Sequence, residues 1–144
     1  SRVFNCALVA TGDPAETVNV RYGGLMSLVS GSRGLPVGEE EHAESGMQFG
    51  WDESYMVDVP ARTLSSVLDE AGAPREIDFL SLDVEGYEAS VLRGLDFDSH
   101  SPALVLVEMH DPAAVREGIE AALGERYEHV EQLSPLDFLY RRRN

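Results

Sequence analysis

Two mainly apolar runs of strand length, separated by a helix-like segment, limit most strongly what this chain can fold into. The runs are "IDFLSLDV" at 77–84 and "ALVLVEM" at 103–109. Because neither alternates strictly between apolar and polar residues, each predicts a strand that is covered on both faces. The intervening segment, 85–95, carries apolar residues at helical spacing, namely Ala89, Val91, Leu92 and Leu95. This strand–helix–strand order predicts parallel neighbours in an α/β sheet.

The rest of the 144 residues extends the same α/β pattern in a single domain, 1–144. The Gly- and Ser-rich segment 25–54 predicts an irregular insertion or a lid loop. Its apolar side chains could cover a substrate or tie the loop to the core; they are Met26, Met47, Phe49, Trp51 and the adjoining Tyr55. We predict strands at 3–10, 16–24 and 55–60, helices at 63–72 and 111–125, and a terminal antiparallel hairpin formed by 127–133 and 137–143.

Both apolar strands end in an acid, Asp83 in the first and Glu108 in the second. Ligands of open α/β sheets bind outside the carboxyl ends of the strands, so adjacent strands would bring these carboxylates to one candidate site. His110 follows at the same edge, where its imidazole could act as a base at neutral pH or simply hydrogen-bond a loop. Glu85 and Glu88 could support this site, or could lie there because negative charge stabilises the start of a helix.

Composition excludes several classes of partner. The formal net charge is −15, from 26 acidic residues against 11 arginines and no lysine, so we expect no nucleic-acid binding. No window offers the roughly 20 apolar residues of a membrane helix, so we expect no membrane association. The single cysteine, Cys6, predicts no disulfide framework and suits a reducing, cytoplasmic location.

At this point the residues resemble a known family. "IDFLSLDVEGYEASVLRGL" followed by "PALVLVEMH" is similar to the signature of the FkbM-type methyltransferases, which use S-adenosylmethionine. In that family a strand that ends in Asp-Val-Glu-Gly leads into a helix and then into a strand that ends in Glu. The upstream "VPARTLSSVLDE" resembles the family's Val-x-x-x-Thr-Leu-Asp segment, with Ser65 and Ser66 where an acid is common. The likeness covers nearly the whole chain.

The resemblance implies a class I methyltransferase fold, a Rossmann-like sheet of order 3-2-1-4-5-7-6 that is mostly parallel and ends in an antiparallel hairpin. The first two strands of that sheet are missing here, together with the Gly-rich turn that approaches the cofactor. The chain is therefore expected to be the carboxyl-terminal portion of such an enzyme, and its opening on Ser1 reads as if an upstream segment has been removed. The gap would expose strand edges, which another segment or a second copy in a homo-oligomer could cover.

The resemblance also implies roles for particular residues. The expected reaction is transfer of a methyl group from S-adenosylmethionine to a hydroxyl of a sugar, polyketide or similar small molecule. Asp83, Glu108 and His110 are the candidate catalytic residues, with His110 as base and Glu108 orienting it or the acceptor. Cys6, Ala7 and Asp83 are the candidate cofactor-binding residues. Alternatively, Asp83 and Glu108 could hold Mg²⁺, which prefers carboxylate ligands and would activate the acceptor.

Two other classes stay open at this point. The chain could be a non-catalytic or truncated methyltransferase-like domain that acts by associating with another chain. It could also be a metal-dependent hydrolase that uses the acids at the strand ends. The sequence gives little support to a hydrolase, because it contains no His-x-His ligand pair.

Overall fold

The computed structural model describes residues 1–31 and 54–143. The first of its two sheets contains β1 (Ala7–Leu8), β2 (Thr17–Tyr22), β3 (Leu28–Val29) and β4 (Tyr55–Arg62). These strands lie in the order β1-β4-β2-β3, with β1 parallel to β4 and the other pairs antiparallel. A short 3₁₀ turn, Gly24–Met26, leads into β3.

The second sheet is built from the apolar strands that dominate the sequence. It contains β5 (Glu76–Leu82), β6 (Ser101–Glu108), β7 (Tyr127–Gln132) and β8 (Asp137–Arg142), in the order β5-β6-β8-β7. The strands β5 and β6 run parallel, whereas β8 is antiparallel to both of its neighbours. The predicted parallel pair and the terminal hairpin are therefore confirmed.

Within residues 1–31 and 54–143, three α-helices connect these strands: α1 (Leu64–Ala71), α2 (Glu88–Arg93) and α3 (Pro112–Leu123). The hydroxyl of Thr63 caps α1 by accepting a hydrogen bond from the Ser66 N–H, and Gly72 ends that helix at φ 68°. Asp111 caps α3 in the same way, with Pro112 at the first helical position. Local sequence signals thus fixed both ends of α1 and the start of α3.

The core lies between the second sheet and the helices. Its completely covered side chains include Leu92 of α2, Val105 and Val107 of β6, and Ile119 of α3. At about 25 cal/mol per Å² of apolar surface, each such side chain contributes roughly 1.5–3 kcal/mol by its removal from water. Burying these residues holds α2 against the carboxyl end of β5.

Backbone hydrogen bonds join the first sheet to α2. The Thr11 N–H donates to the Arg93 carbonyl over 3.2 Å, and the Ser65 N–H donates to the Gly94 carbonyl over 3.1 Å. The Asp96 N–H in turn donates to the Ser65 hydroxyl over 2.7 Å. These bonds fix the end of α2 between the segment after β1 and the start of α1.

The mostly parallel sheet predicted for this chain is not what the structure has. Within the described residues two strand pairs are parallel and four are antiparallel, and they lie in two separate sheets. The antiparallel pairs of the first sheet arise because β2 folds directly onto β4 and β3. The fold is therefore mixed α/β. In the described part of the chain no strand pairs with the second edge of β1 or of β5.

The first strand is also much shorter than the predicted 3–10. The Ala61 N–H donates to Glu16 on the β2 side, so the neighbouring Pro60 nitrogen faces β1. Proline has no N–H to donate, which interrupts the ladder before Ala7. Pairing is confined to Ala7 and Leu8, and Val3 is exposed.

Two further boundaries differ from the prediction. The helix expected at 85–95 begins at Glu88, because Glu85 and Gly86 have positive φ angles of 54° and 97°, which no α-helix accommodates. The segment 25–54 was expected to be irregular, yet it contains β3 near its start. Residues 32–53 of that segment, with Met47, Phe49 and Trp51, lie outside the described residues. None of the helices in the described ranges is long and apolar enough to cross a membrane.

Candidate active site

The two strand-end acids lie side by side. Leu82 of β5 is in register with Val107 of β6, so Asp83, which follows β5, and Glu108, the last residue of β6, lie at the same edge of the sheet. Burial raises the pKa of Glu108, and the neighbouring Asp83 raises it further through hydrogen bonding and through its negative charge. Glu108 therefore holds a proton more readily than an isolated glutamate does.

His110 lies beside this acid pair, but its ion pair is with another residue. Its Nε2 is 2.9 Å from Oε2 of Glu85, whereas Glu108 was predicted to orient either His110 or the acceptor. The charge of His110 still lowers the pKa of Glu108, although burial and Asp83 outweigh it. The turn after β5 brings Glu85 to the imidazole because its backbone enters the left-handed region at that residue.

Glu88 was expected inside a helix and is instead its first residue. Its Oε1 accepts hydrogen bonds from the Val84 N–H over 3.2 Å and from the Gly86 N–H over 3.0 Å. The side chain is almost completely buried. Glu88 therefore fastens the turn 83–88 through these two hydrogen bonds.

A cavity of about 390 Å³ opens between β1 and the end of β5. Cys6, Ala7 and Asp83, the three residues predicted to bind a cofactor, all lie on its wall. The first sheet contributes most of the lining, which is mainly apolar. The other residues that line the cavity are Asn5, Leu8, Val20, Tyr22, Ser27, Leu28, Val29, Val57, Val59, Val84, Tyr87 and Val91.

Cys6 is a partly buried thiol in this cavity. Burial raises its pKa, and the nearby Arg62 guanidinium opposes that effect only in part. The thiol therefore stays protonated at neutral pH, and the neutral thiol is a poor nucleophile. Cys6 can contribute contact surface to a ligand, but its chemistry does not suit attack on one.

The predicted magnesium alternative finds no support. Among residues 1–31 and 54–143, no group of three or more histidine, cysteine or acidic side chains is arranged to hold a metal ion.

The sequence alone missed the contribution of β2 and β3 to the cavity. Val20 and Tyr22 alternate along β2, a period-2 signal for one covered face, but nothing in that pattern says what covers it. Tyr87, which precedes α2, was missed for the same reason. Of the predicted lid residues in the described ranges, Tyr55 is 52% exposed and stacks on Tyr22 with ring centroids 5.0 Å apart.

The fold and the site define an α/β domain with acids at the carboxyl ends of its neighbouring parallel strands and a cavity beside them. A family model described as the methyltransferase FkbM domain matches residues 2–141. The chain belongs to that family, and the resemblance read from "DVEGYE" and the strands around it is confirmed.

A curated relative supports the same assignment. The chain is 40% identical over 79 residues to "Methyltransferase sdnD" of Sordaria araneosa. That alignment covers 49% of this chain and 30% of the relative, so the chain spans less than a third of the relative's length in the match. No solved structure matches the chain significantly.

Proposed function

We propose that this chain forms part of an S-adenosylmethionine-dependent O-methyltransferase whose acceptor is a hydroxyl of a sugar, polyketide or similar small molecule. The observation that carries the proposal is the position of Asp83. It lies on the cavity wall and, because β5 and β6 end in register, beside Glu108 at the next strand end, so the cavity and the acidic edge meet at one residue. Membership of the FkbM family gives the class of reaction.

The cavity fits two parts of S-adenosylmethionine chemically. Its apolar wall, with Val20, Leu28 and Val57, suits an adenine ring, and the carboxylate of Asp83 suits the positive sulfonium. Cys6 and Ala7 would contact the bound molecule from the β1 side. When bound, S-adenosylmethionine supplies a methyl group on a sulfur that leaves readily.

The chain's own residues would position the acceptor and remove its proton. As the acceptor oxygen gains a methyl group, its proton must go to a base, and His110 is the residue at this edge whose ordinary pKa suits that role. A base of this kind typically contributes about 10²–10⁴-fold to the rate.

Calorimetric titration of the 144-residue chain with S-adenosylmethionine and, separately, with S-adenosylhomocysteine tests the cofactor part of this proposal. We expect both to bind. Asp83→Asn should weaken S-adenosylmethionine binding by about 10–100-fold, because a hydrogen bond or contact with a charged group contributes about 1.5–3 kcal/mol. The loss should be smaller for S-adenosylhomocysteine, which lacks the positive sulfonium.

Asp78→Asn is the matched control, since Asp78 lies on the same strand and is exposed. It should leave both affinities unchanged. A folded chain that binds neither compound, or an Asp83→Asn variant that loses affinity equally for both, would contradict the role given to Asp83.

A further inference from the structure

The turn between β5 and α2 holds an unusual backbone conformation. Glu85 has φ 54° and is the one non-glycine residue with positive φ in the described part of the chain. Side chains other than glycine, asparagine and aspartate are disfavoured there, and such strain persists where the surrounding structure enforces it. Glycine would adopt this φ without strain, so the presence of glutamate here indicates that its side chain has a role.

Glu88 holds the backbone in this conformation. It accepts hydrogen bonds from the N–H groups of Val84 and Gly86, the residues on either side of Glu85. Because Glu88 is itself buried, these bonds are shielded from competing water. The backbone on both sides of Glu85 is thus fixed, and the direction of the Glu85 side chain is fixed with it.

The Glu85 side chain ends at His110. Its carboxylate, whose side chain is 9% exposed, lies 2.9 Å from Nε2 of an imidazole that is 33% exposed. An ionised carboxylate can only accept hydrogen bonds, so Nε2 must carry the proton in this contact. A neutral His110 then has its lone pair on Nδ1, and the ring plane is held by a nearly buried partner.

From this geometry we infer that Glu85 is a positioning residue, which holds the imidazole of His110 in one tautomer and one orientation beside Glu108 and Asp83. The positive φ at Glu85 is the feature of this turn that brings a carboxylate to His110. The value of this orientation for methyl transfer rests on the proposed function. The orientation itself does not, and it can be measured without any cofactor.

Nuclear magnetic resonance of the labelled 144-residue chain tests the inference. In the wild-type chain we expect a downfield Nε2–H proton signal and an ordered ring, assigned by its loss in His110→Asn. Glu85→Gly removes the carboxylate and suits the positive φ, so the chain should stay folded while that proton signal disappears and the ring becomes mobile. An unchanged signal and an unchanged ring in folded Glu85→Gly would overturn the inference.

Glu85→Gln keeps the test decisive if the glycine variant fails to fold. Its amide oxygen can still accept from Nε2–H but carries no charge, so the signal should move upfield while the ring stays ordered. A signal that does not move would likewise overturn the inference. Glu117→Gln, the same change at an exposed position of α3, is the control and should leave the His110 signals unaltered.

In the enzyme assay, Glu85→Gly should lower kcat by about 10–100-fold with little change in KM, as is typical when an orienting partner is lost. Glu85→Gln should recover part of that loss. If no methyl transfer is found while the resonance results hold, the proposed function fails and the positioning role stands. If methyl transfer is found but the His110 resonance signals do not change when Glu85 is substituted, the positioning role is wrong and the proposed function stands.

Discussion

Glu108 shows how one neighbour changes the chemistry of a side chain. The residue ends β6 in a partly buried position, beside the carboxyl of Asp83 at the end of β5. Burial, hydrogen bonding to Asp83 and the negative charges of Asp83 and Asp137 all raise its pKa, and His110 opposes them. The folded protein therefore binds a proton at Glu108 more tightly than the unfolded chain does.

This shift predicts a pH-dependent effect of Glu108→Gln. A carboxyl whose folded pKa is raised destabilises the folded state once pH rises above the ordinary value of 4.5, and costs nothing below it. The glutamine should therefore raise the melting temperature at neutral pH, with the gain shrinking as pH falls towards 4.5.

Thermal unfolding of wild type and variant across this range is the measurement. Glu131→Gln, at an exposed position of β7, is the control and should show no such trend. A melting temperature that falls at neutral pH in Glu108→Gln would show that the ionised acid stabilises the fold instead.

At the scale of elements, the end of α2 depends on a close approach of two backbones. A Cβ built on Gly94 would lie 2.2 Å from the backbone oxygen of Val9, far inside contact distance. The same region carries the hydrogen bond from Thr11 to Arg93 and the one from Ser65 to Gly94. A side chain here would push α2 away from the segment that follows β1.

We predict that Gly94→Ala lowers the free energy of unfolding by about 1–3 kcal/mol or more, as overpacking does. Gly118→Ala is the matched comparison, because a Cβ there would meet only Ala89 at an ordinary 3.5 Å. Within α3 it should raise stability by up to about 1 kcal/mol through helix propensity. Urea unfolding of both variants is the measurement. If the two substitutions change the free energy of unfolding equally, the backbone at Val9 moves away from residue 94 without cost.

At the scale of the whole molecule, negative charge dominates. The formal net charge is −15, and several of the arginines are already paired with acids. Arg142 bonds to Glu76 over 2.6 Å, while Arg141 and Arg143 both pair with Glu128. The three consecutive arginines near the chain end therefore tie β8 to β7 and β5, and the remaining acids repel one another.

Salt should therefore stabilise this chain. Between about 10 mM and about 150 mM ionic strength the Debye length falls from about 30 Å to about 8 Å, which screens repulsion between distant acids more than it weakens close pairs. We expect the melting temperature at neutral pH to rise across this range. Near the sequence's isoelectric point, about pH 4.4, the rise should vanish. A melting temperature that falls with salt at neutral pH would mean that close ion pairs outweigh the net repulsion.

Features that depend on neighbouring residues in the sequence could be predicted, and features that depend on distant segments could not. The caps Thr63 and Asp111, the strands β5 and β6 and the terminal hairpin all have signals within a few residues, and the structure has them. The length of β1 had no such signal, because it depends on Pro60 of a partner strand about fifty residues later. The meeting of Cys6 and Ala7 with Asp83 at one cavity was expected only through the family resemblance.

The sequence by itself determined which residues form the apolar strands, that an acid ends each of them, and which family the chain belongs to. Only the tertiary structure decided that the strands divide into two mixed sheets and that Glu88 fastens a turn. Only the tertiary structure showed that His110 pairs with the carboxylate of Glu85 rather than with that of Glu108. The physical reason is that periodicity and capping act over a few residues, whereas the partner of a buried polar group is set by backbone torsions and by packing between distant segments.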